Sequence, residues 1–433
     1  MTPTRSAEPY DYDFAIAGGG PAGCATAIRL REHGHSVVLL ERDTFPRFHI
    51  GESLLSTAND AFVTLGVAER IAAAGFPEKW GARLVTHDGK SGRGVNFGTV
   101  REVRRPQTYQ VSRAEFDMIL LDRAREVGAE VREGVRVTGC EFTRDAAHVD
   151  YADEGSPGRL RVRALVDATG RNGLLARKFD LRADEPLLAN IAIYSHYKKV
   201  PRLADGCPND IRIIAREDAG WFWFIPISDE LTSVGVVLPQ SLFLAMEEAT
   251  PEERFDRTLR DTMAVAELMR DAERAWPVRV EKDFSYSASK YAGERWILAG
   301  DAGSFLDPVF STGVSIALES GIEAADELDR ARKTNDFSEK RFAAFSRRQK
   351  KRFEIFRRFV IGFYTPEFRD LFFQPDPPPT LFRSVTTVLA GRWDPSLRMR
   401  LLNRVFFALV AVQKRFAIAQ RAFRRDAGAG YPR

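Results

Sequence analysis

At 433 residues, 44% of them hydrophobic and 29% charged, the chain is long enough for roughly two or three structural units and has the make-up of a soluble globular enzyme. No apolar run approaches the length of a membrane span, the longest lying around 405–412, which excludes a transmembrane segment. The net charge of +4 hides an imbalance, because residues 333–433 carry about 22 basic and about 8 acidic side chains and the remainder is net acidic.

Residues 1–11 are polar and lack the apolar core of a signal peptide, so a cytoplasmic protein is expected. Residues 12–17 read as a buried strand running into glycines, 21–33 as a helix and 36–41 as a second strand, a β-α-β unit. Between the first strand and the helix, Gly18, Gly20 and Gly23 satisfy Gly-x-Gly-x-x-Gly, and Glu41 ends the next strand. In that context the motif predicts a dinucleotide site. Glycines let the backbone approach a pyrophosphate, and the helix start at Pro21 and Ala22 offers unpaired N–H groups and a positive dipole end. Glu41, followed by Arg42, accepts from a ribose hydroxyl. Cys24 falls at the start of the helix, where a small buried thiol is expected. With Cys140 and Cys207 it forms neither a metal spacing nor a disulfide framework.

Further along, 117–127 reads as a helix, and 131–137 and 160–166 as strands. From 189 to 238 come the strand-like runs NIAIYSHY, IRIIA, WFWFIPI and TSVGVVL. A short strand at 296–299 and a long helix over 313–330 follow. From 337 onward the pattern is helical and basic, broken by QPDPPPT at 374–380, which predicts a bend or linker, and the residues after 425 read as frayed. The expected fold is α/β: a Rossmann-like nucleotide-binding domain (1–188 and 286–332), an inserted antiparallel-sheet substrate domain (189–285) and a basic helical C-terminal region (333–433). That last region reads either as a solvated helical face or as a docking surface for an acidic partner. No nucleic-acid-binding motif is present.

LVDATG at 165–170 and WILAGDAGSFLDP at 296–308 each carry a strand into a glycine turn, the second presenting Asp301 to a ribityl or ribose hydroxyl. Two returns of the chain to one cofactor suit the long dinucleotide FAD. With TYQVSRAEFDMILLDRA at 108–124, this layout resembles the FAD-dependent monooxygenase superfamily over residues 12–330. That superfamily includes aromatic hydroxylases, geranylgeranyl reductases and flavin-dependent halogenases. The resemblance implies that Arg113, in Arg-x-x-Phe-Asp, binds the cofactor. No second glycine motif marks a nicotinamide site, so reduced FAD is expected from a separate NAD(P)H-dependent flavin reductase.

Four segments look like the halogenase branch. FPRFHIGESLL at 45–55 sets Glu52 and Ser53 near the flavin ring; the alternative is a helix N-cap with a first-turn carboxylate. Trp221 to Pro226 match Trp-x-Trp-x-Ile-Pro. Strand alternation puts Trp221 and Trp223 on one face, either as ordinary core or as a wall between flavin and substrate. Phe305 to Gly313 match Phe-x-x-Pro-x-x-Ser-x-Gly. Pro308 and Gly313 are expected beside the flavin, with the N–H groups of Thr312 and Gly313 offered to a halide; the alternative is plain flavin-ring contact. GFPEKWGARL at 75–84 carries Lys79 at the place of the halogenases' active-site lysine. A lone lysine is ordinarily a solvated surface group, but Phe76 and Trp80 flank this one.

The function implied by the resemblance is oxidation of chloride or bromide by reduced FAD and O2. The resulting hypohalous acid passes the tryptophan wall to Lys79, which acts as ammonium or as haloamine. The halogen then goes to an electron-rich phenol or pyrrole, free or held on an acidic acyl- or peptidyl-carrier protein that the basic region docks. An equivalent of the glutamate used by tryptophan halogenases is not found. The rival readings are an FAD monooxygenase or reductase acting on a polyketide or isoprenoid, and a non-enzymatic flavin scaffold lying on a membrane through KKRFEIFRRFVIGF; the favoured reading of that segment is a core-packing helix over the substrate chamber.

Overall fold

The strand Tyr12–Ala17 is the hub of the first of two large sheets in the computed structural model, which describes residues 9–153, 156–374, 377–421 and 423. It lies parallel between Val37–Leu40 and Pro157–Asp167, with Glu130–Arg132 and Trp296–Leu298 continuing outward. Parallel strands are covered on both faces and so read as continuous apolar runs; Phe14, Ala15, Ile16 and Leu39 have no exposure. Helices Pro21–Glu32 and Gly313–Thr334 pack against each other through small residues. A Cβ on Gly321 would stand 2.4 Å from the Ala22 carbonyl oxygen, and the Thr26 hydroxyl donates to the Gly321 carbonyl at 3.2 Å.

The second sheet has nine strands. Ser304–Phe305, Arg279–Ala288, Arg182–Lys198, Thr232–Pro239, Trp221–Pro226 and Ile211–Ala215 run antiparallel in that order. Gly81–Thr86 then adds in parallel, and Gly92–Asn96 closes the edge. One face, with Trp221, Trp223, Ile213 and Leu84, is roofed by C-terminal helices through Phe356, Phe359 and Phe363. The opposite face sets Phe222 and Phe224 against Phe255, Leu259 and Val265.

Several expectations need correction. The strand at 131–137 is two, Glu130–Arg132 and Arg136–Phe142, parted at Gly134, whose φ of +72° interrupts the extended backbone. The helix foreseen at 117–127 starts at Arg113, behind the extended Ser112. The inserted sheet is not confined to 189–285, since it recruits 81–96 and extends back to Arg182. Glycines at 81, 92 and 94 hide the alternation of those two strands. The proline cluster at 374–380 opens a helix, Pro379–Leu389, because a first-turn proline lacks an N–H that would be unpaired anyway. Residues 375–376, within that cluster, and the tail after 425 lie outside the described residues.

The C-terminal region is a roof, not a membrane-lying face. KKRFEIFRRFVIGF ends the helix Glu339–Phe363, and Phe353, Phe356, Phe359 and Phe363 are all buried in the core. Much of its charge turns inward: Arg348 and Arg352 pair with Glu323, and Arg357 with Glu185. Arg369, 2% exposed, donates to the carbonyls of Asp218 at 2.9 Å, Ala219 at 2.6 Å and Gly220 at 3.3 Å. Among the described residues no helix is long and apolar enough to cross a membrane.

Candidate functional site

An elongated cleft of about 310 Å³ runs from Glu41 and Arg42 past Gly18, Gly20, Pro21 and Ala22 to Asp301, Pro308, Trp221 and Trp223. At its outer end Gly18 has φ of +104°, and a Cβ there would lie 2.3 Å from the Ala168 carbonyl oxygen, so the turn requires glycine. Gly23 does not border the cleft. A Cβ on it would lie 1.9 Å from the Gly18 carbonyl oxygen, which makes it a packing glycine between helix and turn. Gly20 enters the helix extended and without a side-chain cap, leaving first-turn N–H groups for a ligand. The Glu41 carboxylate accepts from the N–H of Gly19 at 2.5 Å and of Asp43 at 2.8 Å. Those bonds fix it while leaving lone pairs for a hydroxyl.

In the middle, Arg113 makes a two-pronged contact with Asp117 at 2.8 and 2.9 Å and donates to the Ile50 carbonyl at 2.9 Å. It thereby ties its helix to the loop that carries His49 to Ser53. Burial and the Arg113 charge hold His49 down at about 4, so the ring is neutral near pH 7. Glu52 and His196 are both buried, with Oε1 and Nε2 2.8 Å apart. The other Glu52 oxygen is buried with no partner among the described residues, and Glu52 borders the cleft. A buried acceptor left open in a cleft wall is a place for a ligand's donor. Ser53 is not an N-cap, since it bridges Gln110 and the next helix starts at Ala58.

At the inner end, burial raises Asp301 to about 6, opposed by Arg171 and Arg113. Gly313 opens the helix Gly313–Thr334 at the cleft wall, and a Cβ there would meet nothing within 4 Å. Thr312 is buried and does not border the cleft, so of the two expected halide donors Gly313 is the one that does. Trp221 and Trp223 share one face, with ring centroids 5.9 Å apart. Trp223 Nε1 donates to Ser233 Oγ at 3.1 Å, and Trp221 Nε1 to the Tyr364 hydroxyl at 2.8 Å. Tyr364 donates in turn to Asp307 Oδ2 at 2.5 Å, which also accepts from Asn190 at 2.9 Å. Burial lifts Asp307 to about 6 against those two bonds.

Lys79 reaches the site through Ser53. It lies in the two-residue strand Glu78–Lys79 paired with Thr108–Tyr109, between the helix Ala68–Ala73 and the strand Gly81–Thr86. Its side chain is 1% exposed, with Nζ donating to Ser53 Oγ at 2.9 Å and to the Leu54 carbonyl at 2.8 Å, 5.5 Å from the Phe97 ring centre. Burial lowers its pKa from 10.5 to about 7, with Asp210 opposing. Phe76 is buried beside it and Trp80 is partly exposed. Lys79 does not itself border the cleft, but Ser53 does, so one hydroxyl stands between the amine and the space that both indoles face.

His196, Tyr194, Asn190, Asp307 and Tyr364 join the site without a motif of their own. The strand Arg182–Lys198 presents Asn190, Tyr194 and His196 at alternate positions, toward Asp307, Trp223 and Glu52 respectively. The period of two was the available signal; the partners are distant in sequence and gave none. Among the described residues no cluster of His, Cys, Asp or Glu could hold a metal.

The glycine turn, the helix start, the carboxylates at both ends and the open space at Gly313 fit an extended FAD. A family model described as an FAD binding domain matches residues 11–334. The chain is 31% identical over 427 residues to the 1H-pyrrole-2-carbonyl-(peptidyl-carrier protein) chlorinase of Pseudomonas fluorescens, covering 93% of this chain and 94% of that one. It is 35% identical over 329 residues to the corresponding brominase of Pseudoalteromonas luteoviolacea, covering 75% and 79%. Among solved structures, the flavin-dependent brominase Bmp2 superposes with a TM-score of 0.82 at 30% identity, over 93% of this chain and all of that one. A flavoprotein/dehydrogenase from Cytophaga hutchinsonii superposes with a TM-score of 0.86 at 31% identity, over 93% and 98%.

Proposed function

Because the chain belongs to the flavin-dependent halogenases, we propose that it halogenates an electron-rich pyrrole or phenol held on a carrier protein, with Lys79 engaging the oxidised halogen. FAD is its cofactor, and when reduced it supplies, with O2, the oxidation of chloride or bromide to hypohalous acid. Gly18, Gly20 and the helix start at Pro21 and Ala22 hold the pyrophosphate. Glu41 and Arg42 hold the adenosine end, and Arg113, Glu52, Ser53, Asp301 and Pro308 the flavin end. The Gly313 N–H, at a helix start, attracts the halide. Trp221 and Trp223 keep the organic substrate off the flavin side, so halide and not arene meets the oxidant.

The observation that carries this reading is the buried Lys79 amine, held by Ser53 Oγ at the edge of the cleft both indoles face. With a pKa of about 7, ammonium and amine coexist near neutrality. The ammonium hydrogen-bonds the hypohalous oxygen and polarises the halogen toward the ring; the amine instead carries the halogen as a haloamine. The carrier is supported by two relatives whose substrate is a pyrrole on a peptidyl carrier. A separate NAD(P)H-dependent flavin reductase is the natural supplier of reduced FAD, since the sequence shows one dinucleotide motif.

The test supplies reduced FAD, bromide or chloride, and pyrrolyl and phenolic acyl groups both free and carrier-bound. Products should carry a halogen isotope pattern. Lys79→Ala should lose about 100-fold or more in halogenation, the scale for removing a positioned acid–base group, while reduced FAD is still oxidised. A product that gains oxygen without halogen, or undiminished halogenation by Lys79→Ala, refutes the assignment.

A further inference from the structure

The last described helix, Leu397–Arg415, has two unlike faces. Its inner face buries Phe406, which packs edge-on against Phe368, beside Phe407 on Phe359. Its outer face bares Leu397, Leu401 and Val405 at 80, 60 and 43% exposure, with Val412 and Phe416 further along. That is an apolar stripe at helical spacing on the surface.

The charges beside the stripe differ from those of the rest of the roof. Arg348, Arg352 and Arg357 pair with carboxylates. Among the described residues Arg358, Arg398 and Arg404 have no carboxylate partner. Arg358 lies over the Phe407 ring at 3.9 Å, where burial and then the Arg404 charge both disfavour its own. Adjacent unpaired cations beside exposed apolar side chains are complementary to an acidic amphipathic partner. The helix packs on Pro379–Leu389, that helix touches the turn Phe97–Thr99, and the Phe97 ring lies over the Lys79 amine. The patch therefore belongs to the same layer of helices that adjoins the amine.

We propose that the outer face of Leu397–Arg415, rimmed by Arg358 and Arg404, is the docking surface for an acidic helix of the carrier protein; this rests on the carrier-bound substrate proposed above. A second copy of the chain meeting it through the same face is a poor occupant, because it would set cation against cation. So is the chain's own tail, whose residues 424–433 hold three arginines and one aspartate.

The probe is a peptidyl-carrier protein loaded with pyrrole-2-carboxylate on its phosphopantetheine. It is compared with the same acyl group as a small N-acetylcysteamine thioester. Leu401→Glu/Val405→Glu and Arg358→Glu/Arg404→Glu should each raise KM for the loaded carrier about tenfold or more. Turnover of the small thioester and production of hypohalous acid should be unchanged. Raising salt from about 50 to about 300 mM should raise the wild-type KM for the carrier in the same way. Acid-to-lysine changes on the carrier's recognition helix should partly rescue the arginine variant.

An unchanged carrier KM in both variants overturns the proposal. So does finding that the substitutions abolish only sedimentation with anionic phosphatidylserine vesicles, or only self-association. If wild-type enzyme halogenates free arene and never the loaded carrier, the carrier-bound reading itself fails, and it does so without any variant.

Discussion

Lys79 shows how far one residue's surroundings escape the sequence. A lysine at a matching place was visible; Ser53 Oγ and the Leu54 carbonyl around its amine were not, because they come from a loop some 25 residues earlier. The same burial makes a thermodynamic prediction. The folded pKa of about 7 lies below the ordinary 10.5. Between those values the unfolded chain holds a proton the folded chain lacks, so stability rises with pH across that window and is flat below it. Urea unfolding at about pH 6, 8 and 9.5 should show wild-type gaining a few kcal/mol relative to Lys79→Met, at about 1.36 kcal/mol per unit. Parallel curves would place the amine in water. His196 offers a second test. Removing it leaves the Glu52 carboxylate buried without its partner, so His196→Ala should raise the Kd for FAD about tenfold, or 1.4 kcal/mol. His196→Gln should restore part of the loss. Fluorescence titration of the flavin measures both, and equal affinities in all three proteins would remove Glu52 from the cofactor site.

Among the elements, the tryptophan strand was the most readable, since alternation alone puts both indoles on one face. What seats them was hidden. Gly235 on the neighbouring strand stands opposite Trp223 in register, and a Cβ there would lie 2.2 Å from the indole ring. In sequence it is one glycine in TSVGVVL. Gly235→Ala must displace the ring and should cost about 1–3 kcal/mol, as overpacking does. If the indoles screen the substrate, it should also release more free hypohalous acid per halogenated product. A trap such as monochlorodimedone reads that leak, and tight coupling in the variant would deny the indoles a screening role. The edge strand Gly92–Asn96 was missed, and the strand after Lys79 was not assigned to the inserted sheet, because their glycines and arginines obscure the period.

Across the molecule, the nucleotide-binding half was legible because its motif, strand and helix are contiguous. A core-packing helix over the chamber was legible too, but the roof's pairings were not, because Arg348 and Arg352 meet Glu319, Glu323 and Glu327 on a different helix. Cofactor binding should tighten the whole chain. Saturating FAD at about 100 times Kd adds roughly 2.7 kcal/mol by mass action. Gly313→Val separates folding from loading, since its side chain enters open space in the protein alone but occupies the cradle. The apoprotein should melt near the wild-type temperature while the FAD-induced rise in Tm shrinks. A full rise would put the flavin elsewhere.

Arg369 carries a practical consequence. Its guanidinium plugs the carbonyls of the turn that leads directly into Trp221. Anyone trimming the protein to a smaller catalyst by stopping after the long helix would strip that turn of its donor. The damage would surface first as misaligned indoles, well away from the cut.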